Sequence, residues 1–394
     1  QKNNQGGIKF MKSIAEAVVI GGGVHGCSVA YNLAKKGMKD VVLLEKDYLA
    51  SGATGRCAAG IRRQFGTEIN CLLMKEGMEI LENLNEELGW EGDLEITHGG
   101  YIWLAYNDSQ AEQLIENVKL QNSLGITDSV FLGPEEIKEI APLFNTDGVV
   151  GGSFNPKDGH ANPFHIVFAY ANAAKKLGVE VNTHTEATDI KIMSSGRFKV
   201  TTNKGAIETP IIVVCAGAYG KKLGAMVGLD IPVYPERHQI FVTEPIEYFL
   251  PCMFLSSQHG TYFKQNPNGT ILMGVGDPEN EPKEFNIDAS WPFIEDAVKK
   301  FVFHMPAIKD VRIMRHWAGL YDMTPDSQAI IGTTPVEGFY LDLGWSGHGF
   351  QMGPVVGRLL TEIITEGKCH LPQLEMLNLR RYETGELVFE PACV

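Results

Sequence analysis

The stretch that most constrains this chain is AVVIGGGVHGCSVAYNLAKKGMKDVVLLEK, residues 17–46. A β-branched run at 18–20 ends in Gly21-x-Gly23-x-x-Gly26, and a helical pattern follows over 24–36. Gly37 closes that helix, and a second apolar run, 41–44, ends at Glu45. Strand, glycine turn, helix, strand and acid in this order form the opening βαβ unit of a dinucleotide-binding fold. Gly21 permits the tight turn, Gly23 lets backbone approach a pyrophosphate, and Gly26 lets the helix pack against the sheet. The helix N-terminus presents free N–H groups and a positive dipole end to the phosphates. Glu45 is the acceptor for the ribose hydroxyls.

A chain of 394 residues is long enough for two domains with sizeable cores. Its formal net charge of −14 argues against nucleic acid or an anionic membrane surface as a partner. No apolar run is long enough to span a bilayer. The seven cysteines are scattered without a CxxC pair, so neither a metal site nor a disulfide framework is expected. Cys27 and Cys215 sit in apolar runs and read as core. Residues 1–10 read as an N-terminal extension ahead of Met11; with no signal-peptide pattern, the expected location is cytoplasmic.

Later elements follow the same logic. A helix is expected at 163–177, then a strand at 179–181 and a small β-meander over 185–209. IIVVCAGAYG, 211–220, reads as a buried strand running into a glycine turn. A strand at 339–343 leads through the glycine-rich loop 344–350 into a helix at 354–366, with Pro354 in its first turn. Between these pieces lie alternating segments at 100–106, 231–243, 261–264 and 270–275, with amphipathic helices at 108–124 and 290–304. The expected architecture is α/β plus antiparallel β: a discontinuous Rossmann-like domain with a mostly antiparallel domain inserted into it.

Four motifs together carry a resemblance: GGGVHG with Glu45, SGATGRCAAGIRRQFG at 51–66, WAGLYDMTPDSQAIIG at 317–332, and GWSGHGFQMGPVVG at 344–357. The chain resembles the D-amino-acid-oxidase-like FAD enzymes, above all the β subunits of dye-linked L-proline dehydrogenases and of sarcosine oxidases. The resemblance implies an FAD-binding domain at 11–95, 151–220 and 316–375. It implies a substrate and interface domain at 96–150 and 221–315, and a C-terminal tail at 376–394. It implies FAD contacts from Gly21, Gly23, Gly26, Glu45, Lys46, Ser51, Gly52, Thr54, Ala216 and Gly217. The second half of that set is Gly344, Ser346, Gly347, His348, Gly349, Phe350 and Gln351.

The resemblance further implies oxidation of the C–N bond of a secondary or N-substituted amino acid, proline- or sarcosine-like. Hydride leaves the α-carbon for flavin N5, and the enzyme mainly orients the substrate. Arg62 is the candidate for the substrate carboxylate, which a guanidinium grips through two parallel hydrogen bonds; Arg63 reads as structural. Tyr321 matches an active-site tyrosine, and His348 reads as a loop-ordering residue more than a base.

Three positions depart from the related oxidases. Leu272 stands where they carry the oxygen-activating lysine, Gln351 where they carry a second carboxylate-binding lysine, and Gly319 where a cysteine tethers FAD. The expectation is therefore non-covalent FAD, an altered carboxylate clamp and slow reaction with oxygen. Pro163 occupies the position of a histidine that holds FMN covalently in heteromeric relatives, which leaves only non-covalent FMN at a subunit interface. The expected partners are a small amino-acid substrate, a second, α-type subunit and an electron acceptor. The alternatives are a stand-alone oxidase producing hydrogen peroxide, a 2-hydroxy-acid dehydrogenase, or a scaffold subunit that only docks partners.

Overall fold

The computed structural model describes residues 11–277 and 281–391. The expected extension, 1–10, lies outside the described residues, as do the last three residues of the expected tail. The strand Ala17–Ile20 is buried at all four positions. It pairs in parallel with Val41–Leu44 on one side and Ile212–Val214 on the other. That all-apolar composition is what a strand covered on both faces requires. The sheet runs Ile330–Thr333, Phe339–Leu343, Ile212–Val214, Ala17–Ile20, Val41–Leu44, Glu180–Asn182, and only its first pair is antiparallel.

One face of this sheet is covered by the helices Val24–Lys35, Pro163–Lys176 and Gly349–Glu366, the other by the meander of strands Ala187–Ile192, Phe198–Thr202 and Gly205–Thr209. Helices Val24–Lys35 and Gly349–Glu366 cross closely. A Cβ at Gly357 would lie 2.1 Å from the Ser28 hydroxyl, and one at Gly353 would lie 2.8 Å from the Val24 side chain. The glycines thus set how near the second helix stands to the glycine loop.

The second body is an eight-stranded, largely antiparallel sheet. Its order is Ile313–Met323, Tyr234–Thr243, Ile271–Val275, Thr261–Gln265, Met253–Ser256, Tyr101–Ala105, Gly151–Asn155, Val130–Leu132. Helix Trp291–His304 packs on one face, where Phe241, Phe254, Phe263 and Phe301 form a separate core. The opposite face carries Tyr101, Trp103, Tyr262 and Leu272.

Strands Gly151–Asn155 and Ile313–Met323 both belong to the eight-stranded sheet. The helix expected at 354–366 instead begins at Gly349, five residues before Pro354, so the proline sits inside it. Its missing N–H deprives the Phe350 carbonyl of a helical donor, in a segment held by the close contact with Val24–Lys35. Helix Glu68–Leu88, 21 residues long, was not among the expected elements. No helix of the described residues is long and apolar enough to cross a membrane.

Candidate functional site

The glycine loop is shaped by contact. A Cβ at Gly21, where φ is +121°, would lie 2.2 Å from the Cys215 carbonyl oxygen, and one at Gly26 would lie 1.9 Å from the Gly21 carbonyl oxygen. The loop therefore packs directly on the end of the neighbouring strand. Glu45 is buried at the tip of the second strand. It accepts the Gly22 N–H at 2.7 Å, the Asp47 N–H at 2.8 Å and the Ser51 hydroxyl at 3.3 Å. Thr54 accepts the Val24 N–H at 3.2 Å, and a Cβ at Gly23 would come within 2.9 Å of its oxygen. The segment after the second strand is thereby tied to the glycine loop.

These groups line a cavity of about 360 Å³. It extends from Glu45, Lys46 and Thr185 past Ala216 and Gly217 to Tyr321, Gly347, Gly349 and Phe350. Gly21, Gly23, Ser51, Gly52 and Thr54 are in the same wall. Gly26 and Gly344 are not; Gly26 acts through helix packing, and the Gly344 N–H donates to Asp322 at 2.7 Å. The Lys46 ammonium stands 3.3 Å from the centre of the Tyr219 ring. A cavity of this size with an acid and a helix N-terminus in its wall fits a dinucleotide.

A smaller chamber of about 80 Å³ adjoins it. Arg62, Tyr101, Tyr262, Tyr321, His348 and Gln351 supply its polar groups, and Met253 and Leu255 its apolar side. Ser346, Gly347 and Phe350 complete the side shared with the 344–350 loop. The Ser346 hydroxyl accepts the Thr324 N–H at 3.2 Å and so anchors this loop. Arg62 is buried; its guanidinium lies over the rings of Phe65 and Trp103, at 4.1 and 4.9 Å, and donates to the Gln64 carbonyl. The Gln351 side-chain oxygen accepts the Arg62 backbone N–H, so Gln351 positions the arginine's backbone. Arg63 instead pairs with the buried Asp158 at 3.3 Å.

Burial, then the Arg62 charge, pushes the His348 imidazole down to about 3, so it is neutral at working pH. Burial pushes the Tyr101 phenol up to about 12, and the Tyr262 phenol also upward, helped by neighbouring Tyr321. The chamber thus offers one fixed cation and hydrogen-bonding phenols, a lining suited to a small carboxylate-bearing molecule. At Gly319 an added side chain would begin 3.1 Å from Arg56, whose guanidinium donates to the carbonyls of Ser51 and Ala318 at 2.9 Å each.

Sequence reasoning missed Tyr101, Tyr262, His25, His238 and Asp342, all of which line one cavity or the other. His25 lies inside the glycine motif, and its polarity there was an available signal. Tyr101 and Tyr262 meet only because distant strands join one sheet.

The sequence profile of the FAD dependent oxidoreductase family (DAO) matches residues 16–363. A solved L-proline dehydrogenase from P. horikoshii superposes with a TM-score of 0.89 at 37% identity, covering 96% of this chain and 100% of that one. The sarcosine oxidase subunit beta of an Arthrobacter species is 28% identical over 386 residues, 96% of this chain and 94% of that protein. Mitochondrial dimethylglycine dehydrogenase of Rattus norvegicus is 30% identical, with 93% of this chain matched to 44% of the longer protein.

Proposed function

The chain belongs to the FAD dependent oxidoreductase (DAO) family, and from that premise we propose that it oxidises the C–N bond of a secondary or N-substituted α-amino acid, proline- or sarcosine-like. The single observation that carries this reading is the small chamber, with buried Arg62 and phenols, opening beside the dinucleotide cavity. FAD, when bound, accepts the hydride lost from the substrate α-carbon. Glu45, the glycine loop, Ser51 and Thr54 would hold it without a covalent bond, since Gly319 offers no tethering thiol. Arg62 would clamp the substrate carboxylate, while Tyr321 and its neighbour Tyr262 would orient the amine. Met253 and Leu255 would exclude water from the reacting carbon.

The same reading makes the chain the β subunit of a hetero-oligomeric dehydrogenase, supported by its similarity to a sarcosine oxidase subunit beta and to L-proline dehydrogenase. An α-type subunit would complete it, with non-covalent FMN at the subunit interface and an electron acceptor beyond. The proposed compartment is the cytoplasm, where scattered cysteines stay reduced. The test is anaerobic bleaching of the bound flavin against a panel of secondary, N-methyl and primary amino acids and 2-hydroxy acids. Bleaching by the first two classes is expected; bleaching by hydroxy acids alone would overturn the reading.

One observation favours the stand-alone oxidase instead. Lys264, 4% exposed, stands directly across the strand pair from Leu272. It places a lysine beside the position from which one is missing.

A further inference from the structure

We propose that His25, inside the glycine motif, is a positioning residue. It is held as an imidazolium between Asp342 and the Gly349 carbonyl, and this proton-dependent clasp keeps the start of helix Gly349–Glu366 in place for FAD binding. His25 Nδ1 lies 2.9 Å from an Asp342 carboxylate oxygen, and Nε2 lies 2.8 Å from the Gly349 carbonyl oxygen. A backbone carbonyl only accepts, so Nε2 carries hydrogen. A carboxylate only accepts, so Nδ1 carries one too, and a ring with both is the cation. The other Asp342 oxygen accepts the Trp345 indole N–H at 2.9 Å, which leaves the carboxylate no reason to turn away. The imidazole also stacks on Trp345, with ring centroids 4.8 Å apart.

The ionisable groups facing His25 are few. Asp342 comes from strand Phe339–Leu343, Asp322 from strand Ile313–Met323, and His348 from the N-cap of the helix. Beyond Asp342 lies the Cys215 thiol, kept uncharged by burial. Burial works against the His25 charge, but the Asp342 carboxylate, the Gly349 carbonyl and Asp322 together outweigh it, and the net shift is upward. Neutral His348 adds no competing charge.

The clasp joins three elements at one point. His25 is the second residue of helix Val24–Lys35, Asp342 is the last residue but one of strand Phe339–Leu343, and Gly349 begins the other helix. His25, Asp342, Trp345 and Gly349 all line the large cavity. Losing one proton leaves a single donor for two acceptors, so either the helix start or the carboxylate is released. A histidine whose folded pKa is raised contributes fully below its ordinary value of about 6.5 and loses that contribution as pH rises through the folded value.

The proposal rests on the reading that this cavity takes FAD; the protonation of His25 does not. Two measurements, on the protein with and without FAD, therefore test it. Histidine-labelled ¹⁵N NMR, assigned by the signal lost in His25→Phe, should show an imidazolium at about pH 7. The FAD dissociation constant, measured from about pH 5.5 to 9, should be flat at low pH, weaken by up to tenfold per unit above the NMR midpoint of the FAD-free protein, and level off above that of the holoenzyme. Asp342→Asn should move that weakening at least about one unit lower. His25→Phe should bind FAD at least about tenfold more weakly at low pH, with a flat profile. A neutral His25 at about pH 7, or an FAD profile unmoved by Asp342→Asn, would overturn the proposal. If the variants do not fold, the wild-type FAD profile must begin to weaken at the NMR midpoint of the FAD-free protein; a gap above about one unit overturns the proposal. An imidazolium with no FAD binding at any pH would sink the cofactor reading and the clasp's role with it.

Discussion

The imidazole of His238 lies face to face with the phenol ring of Tyr321, centroids 3.6 Å apart and planes 11° from parallel. Glu236 holds His238 from behind, with its carboxylate 3.2 Å from Nε2. A Cβ at Gly347 would come 2.4 Å from the Tyr321 ring. The phenol is thus packed closely against an imidazole and a bare glycine, which hold the ring in place. A ring fixed in this way orients a ligand without losing rotamer entropy on binding.

Tyr321→Phe keeps the stack and removes only the hydroxyl. The amino-acid concentration that half-reduces the flavin should rise about fivefold, the loss of one hydrogen bond of about 1 kcal/mol, with FAD retained. Anaerobic titration measures it, and an unchanged half-point would assign the hydroxyl to packing.

Arg62→Ala should do more. A desolvated bidentate clamp on a carboxylate is worth about 3–5 kcal/mol, so half-reduction should require orders of magnitude more substrate. Arg62→Lys should recover part of that loss, because it restores the charge but not the fork. The flavin absorbance of the purified variants checks that FAD remains bound. Weak binding of substrate and flavin together would make Arg62 structural.

Local elements were legible because they are written in short stretches. Gly21, Gly23, Gly26 and Glu45 announce their unit within 25 residues, and the strand at 339–343 was read to the residue. Helix Glu68–Leu88 was equally readable: Ile69, Leu73, Leu81, Leu84 and Leu88 recur at helical spacing, and Gly89 caps it with φ +56°. The start of the Gly349 helix was hidden because proline normally marks a first turn, whereas here it sits inside a helix packed closely on Val24 and Ser28. Tyr101 and Tyr262 were illegible for another reason. Their meeting depends on sheet order between strands about 160 residues apart, which no local period encodes.

Glu45→Gln should weaken FAD binding by about 10- to 100-fold, since a charged acceptor is worth about 1.5–3 kcal/mol. Its carboxylate also accepts the Gly22 and Asp47 N–H groups, so the apoprotein should lose stability too. Fluorescence titration of the apoprotein with FAD measures the first effect and a thermal melt the second. FAD affinity within twofold of wild type would remove Glu45 from the site.

Lys264 gives a stability prediction with a definite sign. Burial pushes its pKa down to about 8, from about 10.4 in an unfolded chain. Between those values the unfolded chain holds more protons, so this lysine's contribution to stability improves as pH rises across the window. Below about 8 its full burial cost is present. Lys264→Met should therefore stabilise the holoenzyme at neutral pH by about 1–3 kcal/mol, with the gain shrinking toward pH 10. Urea midpoints at neutral and alkaline pH check it; an equal gain at both would mean the ammonium is not buried.

The last prediction concerns oxygen. Reducing oxygen begins with one electron and makes superoxide, an anion that a nearby cation stabilises strongly in a low-dielectric site. Leu272 supplies no such charge. Its cross-strand partner Lys264 stands on the same face of the sheet, because paired residues of antiparallel strands point the same way. The dehydrogenase reading expects the reduced enzyme to pass electrons rapidly to an artificial dye and slowly to air. That slow rate should not change with pH near 8 or in Lys264→Met. If Lys264 instead serves as the oxygen-activating cation, reoxidation by air will be fast at neutral pH. It will then fall as pH rises through about 8, where the ammonium loses its proton, and collapse in Lys264→Met. Stopped-flow reoxidation at two pH values in both proteins separates the cases. Fast reoxidation that depends on Lys264 would transfer this chain from the dehydrogenases to the peroxide-producing oxidases.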